Sequence, residues 1–399
     1  RMLIMAGLVM VLGACNSPGK DAKSLENPFF AEYTTPFGVP PFDKIKIEHY
    51  KPAFLKGMEE QKLEIDALLN QRSMPDFENT IVALDQSGRL LSKVSSVFYG
   101  LNSANTSEEM QALSKELAPL LSKHRDDIKL NPRLFARVKE VYERQKDFNL
   151  DKEQTALLED TYKSFVRGGA NLSLEKQERL RALNSEISLL QLTFGQNMLK
   201  ETNAFQLVID NQEDLAGLPA SLIATAADAA KVAGLEGKWV FTLHNPSIMP
   251  FLQFSERRPL REKIFKAYIN RGNNNNESDN KEVVKKLVSL RLEKAKLMGY
   301  DDYAAFVLED RMAKNEANVY RLLNQVWEPA LRKAKEEAGD LKVAMKKEGV
   351  KDELQGWDWR YYNEKVMKEK FDIDENQLRP YLKLENVREG MFYVANKLY

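Results

Sequence analysis

Three histidines, His49, His124 and His244, are the only imidazoles in 399 residues, and imidazole is the usual metal ligand and general base near neutral pH. No two of them stand three or four residues apart, the spacing that puts two rings on one helix face. There is no His-Glu-x-x-His run, and the one cysteine, Cys15, offers no ligand set. The histidines read as local structure. His49 opens a helix in EHYKPAF, His124 sits in the charged tail of its helix, and His244 lies in a turn beside Asn245-Pro246.

Nucleophile chemistry is no better served. A G-x-S-x-G elbow is absent, and Ser87 in QSGRLL falls in a helical pattern, where a hydroxyl bonds back to a carbonyl. Phosphate-cradling glycine loops are absent, and Arg167-Gly168-Gly169 reads as a helix terminus. The carboxylate pairs Glu59/Glu60, Glu108/Glu109, Asp126/Asp127 and Glu336/Glu337 read as solvated surface with basic partners one turn away. The aromatic run GWDWRYYNEKV (356–366) reads as core where helices meet; its functional alternative is one wall of a peptide-sized groove. Spacing alone therefore assigns no catalytic and no metal-binding residue.

The elements around these residues are helices. Thr106 to Glu109 reads as a capping box ahead of Met110, Leu113, Leu117 and Leu120, and Asn131-Pro132 places a cap before proline at the first helical position. Asp151 with Gln154 opens another helix. Leu180, Leu183, Ile187, Leu190 and Phe194 follow at spacings of three, four, three and four, as antiparallel helix packing requires. Further helices are predicted near 219–233, 257–271, 279–298, 301–310, 316–347, 359–370 and 384–399. Only FQLVI (205–209) and KWVFTL (238–243) read as strands, enough for one short ribbon. RGNNNNESD (271–279) reads as a surface turn whose asparagine run carries nothing more, and no fixed-period repeat suggests a solenoid. The fold class is all-α, one long helical body with at most a two-stranded ribbon. The last stretch, ENVREGMFYVANKLY, puts Val387, Met391, Val394 and Leu398 on one broad apolar face up to Tyr399. Such a face is expected to pack against further polypeptide.

Charged residues make up 30% and hydrophobic ones 43%, the balance of a folded, soluble chain. Lys+Arg and Asp+Glu are both 59, so no basic excess is available to hold a nucleic-acid backbone. The N-terminus differs from the rest. An apolar run from Leu3 to Leu12, then small residues, then Cys15, is too short to span a bilayer and reads as a signal segment over 1–14. Leu12-Gly13-Ala14-Cys15 resembles a bacterial lipobox, with Cys15 as the lipidated residue; the plainer alternative is a chance cysteine at an ordinary cleavage site. Arg1 is not an initiator, so the sequence is expected to be clipped at this end. With Cys15 consumed, no thiol remains for disulfides or thiolate metal sites. Residues 15–26 have the composition of a flexible tether. The Pro- and Phe-rich stretch after them (27–45) is expected to lie extended over the body with Phe29, Phe30, Phe37 and Phe42 docked.

These stretches carry a family likeness. NPF (27–29), EHYKPAFLKGM (48–58), MPDFENTIVALDQSGRLLSKVSSVF (74–98), RLRALNSEISLLQLTFGQN (179–197), REKIFKAYINRG (261–272), RLEKAKLMGYDDYAAFVLEDRMAK (291–314), WDWRYYNEKV (357–366) and FDIDENQLRPYLKLENVREGMF (371–392) stand in order. Together they resemble the N-terminal portion of the thimet oligopeptidase / oligopeptidase A family of zinc metallopeptidases. Within it the likeness is to members that release dipeptides from peptide C-termini; relatives cut short peptides internally. The resemblance implies a helical ellipsoid divided by a deep channel that admits only short unfolded peptides. It also implies one zinc ion held by a His-Glu-x-x-His helix and a downstream Glu, with the motif Glu as base for the metal-bound water. Water on zinc ionises near neutral pH, whereas bulk water does so near pH ~15.7.

None of those ligands, nor the base, nor the later Tyr and His residues that bind substrate, has a counterpart in these residues. Residues 27–399 are thus expected to be the N-terminal lobe and channel wall of a peptidase, ending before the zinc-binding catalytic half. By itself this piece is expected to bind no zinc and to be inactive. The expected partners are short unstructured peptides, the catalytic half, and a membrane reached only through the lipid on Cys15, in a monomer of the bacterial envelope that binds no nucleic acid. If the leader is not a signal, a cytoplasmic or soluble periplasmic protein is expected instead. The alternative is a non-catalytic helical envelope lipoprotein that binds peptides or partners.

Overall fold

A computed structural model describes residues 27–371 and 379–399. Cys15, the signal segment and the tether lie outside the described residues. The fold is helical: α1 (Ile47–Leu69), α2 (Arg89–Ala104), α3 (Glu108–Lys129), α4 (Pro132–Glu143), α5 (Lys152–Arg167) and α6 (Leu174–Ala204) come first. Then follow β1 (Leu207–Ile209), α7 (Ala220–Val232), β2 (Trp239–Phe241), α8 (Asn245–Phe254), α9 (Arg258–Ile269), α10 (Lys281–Leu297) and α11 (Tyr303–Leu308). The chain closes with α12 (Glu316–Lys347), α13 (Gly356–Phe371) and α14 (Leu384–Leu398). The only sheet among the described residues is the β1–β2 ribbon, antiparallel with Val208 opposite Val240. It sits where the two strand-like stretches predicted it, trimmed to three residues each.

Local chemistry starts these helices. Asn131 Oδ1 accepts from the backbone N–H groups of Arg133 and Leu134, and Asp151 and Gln154 cap each other's backbone N–H at 2.9 and 3.1 Å. The cap of α3 is Ser107, whose Oγ accepts from Met110 N at 3.2 Å, one residue beyond the predicted Thr106. Thr106 instead donates its hydroxyl to Asn102 Oδ1, back towards α2. Gly168 closes α5, as Arg167-Gly168-Gly169 predicted.

Packing divides the chain into two compact units: residues up to Leu192 with Glu293–Gly299, and Thr193–Leu292 with Tyr300–Tyr399. In the first unit, Tyr50, Phe54, Val94, Phe98 and Leu117 form one core, and Ile81, Leu134, Val138, Leu158 and Phe165 another. α1 and α2 approach so closely that a Cβ on Gly57 would lie 2.8 Å from the Leu91 backbone. Glycine is therefore required there despite its entropic cost in a helix. Phe29 docks on Tyr50 with ring centroids 5.4 Å apart and Phe30 packs beside it. Phe37 and Phe42, expected to dock likewise, point into solvent; Pro36–Gly38 is a 3₁₀ turn with Phe37 at a positive φ of 59°.

In the second unit the ribbon and α7–α9 enclose Leu207, Ile209, Phe241, Phe251 and Ile264. One ion cluster ties α9 to α13. Asp358 is fully buried and accepts from Arg258 Nε and Nη2 and from Arg261 Nη2, each at 3.0 Å, and from the Gln355 backbone N–H at 3.1 Å. Arg261, also buried, spends its other donors on the Ser255 and Trp357 carbonyls and stacks on Tyr361. Tyr361 and Tyr362 are core, as the aromatic run predicted, whereas Trp359 remains 37% exposed.

The asparagine run is more than a turn. Nearly buried Glu201 accepts from Gly272 N and Asn274 Nδ2 on one oxygen and from Asn276 Nδ2 on the other. Asn280 in turn bonds Asn197 and the Phe194 carbonyl, so residues 272–280 are sewn to α6 by side-chain amides. The sequence pattern shows polar residues but not the distant carboxylate that organises them.

Truncating Asp358 to alanine leaves the buried Arg261 guanidinium with no carboxylate, while Arg258 keeps its pair with Asp352. This should cost about 3–5 kcal/mol; urea denaturation followed by the tryptophan fluorescence of the second unit measures it. A loss below about 1 kcal/mol, the surface ion-pair range, would show that the cluster does not hold α9 and α13 together.

Candidate functional site

Each imidazole has its own local use. His49 Nδ1 accepts from the Lys46 backbone N–H at 3.0 Å, in the first turn of α1. His244 precedes α8, with Nδ1 3.0 Å from Thr242 Oγ1 and Nε2 3.1 Å from Asn203 Oδ1. His124 lies in α3, half-buried, with Nε2 2.7 Å from Gln61 Oε1; that contact requires the proton on Nε2. Among the described residues, no three His, Cys, Asp or Glu side chains gather as a metal centre. The described residues therefore offer no ligand set for the zinc that the family likeness implies. Ser87 donates its hydroxyl to the Leu84 carbonyl at 2.7 Å, the back-bond its sequence context suggested, from a turn just before α2 rather than within a helix.

The carboxylate pairs separate into two kinds. Glu60, Asp127 and Glu336 are surface groups with basic neighbours: Lys56 at 3.2 Å, Arg181 at 2.8 Å and Lys333 at 3.5 Å. Asp126, read as solvated, is instead buried. Its Oδ1 accepts from Asn184 Nδ2 at 2.9 Å, and Asn184 Oδ1 accepts from Lys294 Nζ at 2.6 Å. Burial pushes the Asp126 carboxyl up and the Lys294 ammonium down; the Asn184 bond and then Arg181 and Lys294 hold the Asp126 carboxylate partly in check. α3 has one wet and one dry side at this turn, and adjacent aspartates fall on different sides.

The first unit also contains a cavity of about 850 Å³, within the range of small-molecule sites. α1, α2, α3 and α5 supply most of its wall, among them Gln61, Tyr99, His124, Arg125, Lys129 and Ser164. Burial raises the Tyr99 phenol and lowers the Lys129 ammonium. Spacing does not announce this site, because its polar groups come from four separate helices.

In the second unit, apolar side chains face solvent in two rows. On α12 they are Tyr320, Leu323, Val326, Trp327 and Leu331, with burial beginning only at Leu341. On α14 they are Val387, Met391, Phe392, Val394 and Leu398, and no residue of that helix is buried. Among the described residues no helix is long and apolar enough to cross a membrane, so these rows are amphipathic faces.

Burial depresses the His124 pKa below its free value of 6.5, with Asp127 opposing and Lys123 assisting. As pH falls below 6.5 the unfolded chain takes up a proton that folded His124 resists, so stability should fall through that window. His124→Gln should flatten the wild-type loss in urea midpoint between about pH 7 and 5. An identical pH profile in the variant would remove His124 as its source.

Residues 251–399 match peptidase family M3. The chain is 38% identical over 374 residues to a dipeptidyl carboxypeptidase of Escherichia coli (strain K12), covering 94% of this chain and 55% of that protein. The dipeptidyl carboxypeptidase of Salmonella typhimurium is 37% identical over the same shares. Oligopeptidase A of Haemophilus influenzae is 32% identical over 91% of this chain and 54% of its own length. The chain thus spans about half the length of the curated relatives it matches. Residues 251–399 resemble peptidase family M3, and the likeness to dipeptidyl carboxypeptidases and oligopeptidase A continues over nearly all the rest of the chain.

Proposed function

We propose that this chain is the N-terminal helical part of a zinc peptidase that releases dipeptides from the C-termini of short, unfolded peptides. The identity of 38% to a dipeptidyl carboxypeptidase along 94% of the chain carries the reading. In this reading the zinc ligands and the general base belong to polypeptide outside these 399 residues, and this chain supplies scaffold and channel wall. The bare apolar rows on α12 and α14 support it. Fully burying a Leu, Val or Phe side chain is worth roughly 1.5–3 kcal/mol, so two such rows are a strong driving force for association with a further helical body. The intact protein is proposed to be a monomer held at the bacterial envelope through lipid on Cys15.

The test is a peptide-hydrolysis assay with added zinc, run on this chain and on the protein encoded by its continuous reading frame. The continuous protein should release C-terminal dipeptides, lose that activity to a chelator, and fail on peptides whose C-terminus is amidated. The 399-residue chain should show no turnover. Chelator-sensitive cleavage by the chain alone would overturn the division of labour, and an inert continuous protein would favour the non-catalytic lipoprotein. The anchor is tested separately by Cys15→Ser, which should move the protein from the membrane to the soluble fraction; unchanged membrane association would exclude lipidation at Cys15.

A further inference from the structure

Arg125 and Lys129 stand one turn apart near the end of α3, and both line the 850 Å³ cavity of the first unit. Like charges at this spacing repel and destabilise a helix, and neither of these two has a carboxylate within ion-pair distance. Among the described residues, Arg125 makes no hydrogen bond or ion pair, and Lys129 Nζ donates only to Ser164 Oγ at 2.7 Å while lying 4.5 Å from the centre of the Phe165 ring. The carboxylates that also line the cavity, Asp85 and Asp160, are exposed and reach neither cation within ion-pair distance. The last turn of α3 offers the pair only a diffuse partial charge of roughly half an electron. Burial, and after it the Arg125 charge, depress the Lys129 ammonium, while Arg125 itself is exposed at the cavity wall.

The rest of the wall describes what would relieve it. Leu84, Leu91, Leu121 and Ile128 give an apolar side, and Ser95, Thr161 and Ser188 give hydroxyls. A guanidinium grips a carboxylate with two parallel N–H donors, and an ammonium one turn away adds a third. We propose that this cavity binds a small molecule bearing one carboxylate and an apolar body, such as an N-acylated amino acid or the C-terminal residue of a peptide. Arg125 and Lys129 take the carboxylate, and the leucine side takes the apolar group. A bare inorganic anion leaves the apolar side unfilled, and an uncharged amide leaves the two cations unpaired. None of this requires the peptidase activity, whose failure in the assay above would leave the cavity as it is.

The probes are N-acetyl-phenylalanine, N-acetyl-phenylalaninamide and inorganic phosphate, titrated calorimetrically into the full 399-residue chain. N-acetyl-phenylalanine should bind, and the amide and phosphate should each bind at least about tenfold more weakly, the worth of one charge-assisted hydrogen bond. Arg125→Gln and Lys129→Gln should each weaken N-acetyl-phenylalanine by about tenfold or more, whereas Lys115→Gln, on the same helix but outside the cavity, should not. A measurement on the unaltered chain covers the case of variants that fail to fold. Acetylation of Lys129 by an active ester, followed by mass spectrometry, should slow in the presence of N-acetyl-phenylalanine relative to Lys115. Equal binding of acid and amide, stronger binding of phosphate, no binding of the acid at about 10 mM, or no protection of Lys129 would each overturn the assignment.

Discussion

The carboxylate of Asp358 is the fixed point of the second unit. It is held in the dry by two guanidiniums and a backbone N–H. A buried charge is tolerated only when its partners are placed well, and here they come from α9 and from the turn that begins α13. The Asp358 hydrogen bond holds the Arg258 guanidinium above its ordinary range, the signature of an ion pair made more favourable by folding. Because α13 is set by this cluster, so is what packs on it: Tyr361 and Tyr362 bury Leu341, Ala344 and Met345 near the end of α12. The first two-thirds of α12 run on past that core with no cover of their own.

The elements with short-range causes were legible in the sequence. Asn131-Pro132 and Asp151/Gln154 fix helix starts with atoms three residues apart, and the three–four spacing of Leu180, Leu183 and Ile187 gave a stripe that is indeed buried. Phe194, at the end of that stripe, is 38% exposed, because a spacing rule says which residues share a face but not how far the neighbouring helix extends. What depended on a distant partner was missed. Asp126 looks like Asp127 in sequence, yet one meets Asn184 across an interior and the other meets Arg181 at the surface. The asparagines at 274 and 276 acquire a purpose only through Glu201, more than seventy positions away. Phe37 and Phe42 share composition with Phe29, but only Phe29 follows a capped turn that aims its ring at Tyr50.

The cavity was illegible for the same reason, and its sequence fingerprint is negative. Arg125 and Lys129 are two cations one turn apart, where several other lysines have an acid at that spacing. Lys123 has Asp127, Lys139 has Glu143 and Lys56 has Glu60 at the same spacing. Each of those exposed pairs is worth only tenths of a kcal/mol. The Arg125/Lys129 pair is therefore informative less through its energy than through its place in the wall of the 850 Å³ cavity.

Uncovered apolar rows and cations without carboxylate partners are both departures from a closed fold, and they suit different partners. An isolated helix of fifteen residues is marginal in water whatever its sequence, and α14 has no buried residue to add to its own hydrogen bonds. A surface laid against those rows would add to its order and to that of the first part of α12. Ten side chains there, each able to gain roughly 1.5–3 kcal/mol on burial, exceed the whole net stability of a typical domain, about 5–15 kcal/mol. Such a surface is large, apolar and protein-like. The cation pair suits the opposite, a single negative group small enough for the 850 Å³ cavity. One helical chain thus presents two unfinished surfaces of unlike chemistry, and a partner suited to either is unsuited to the other.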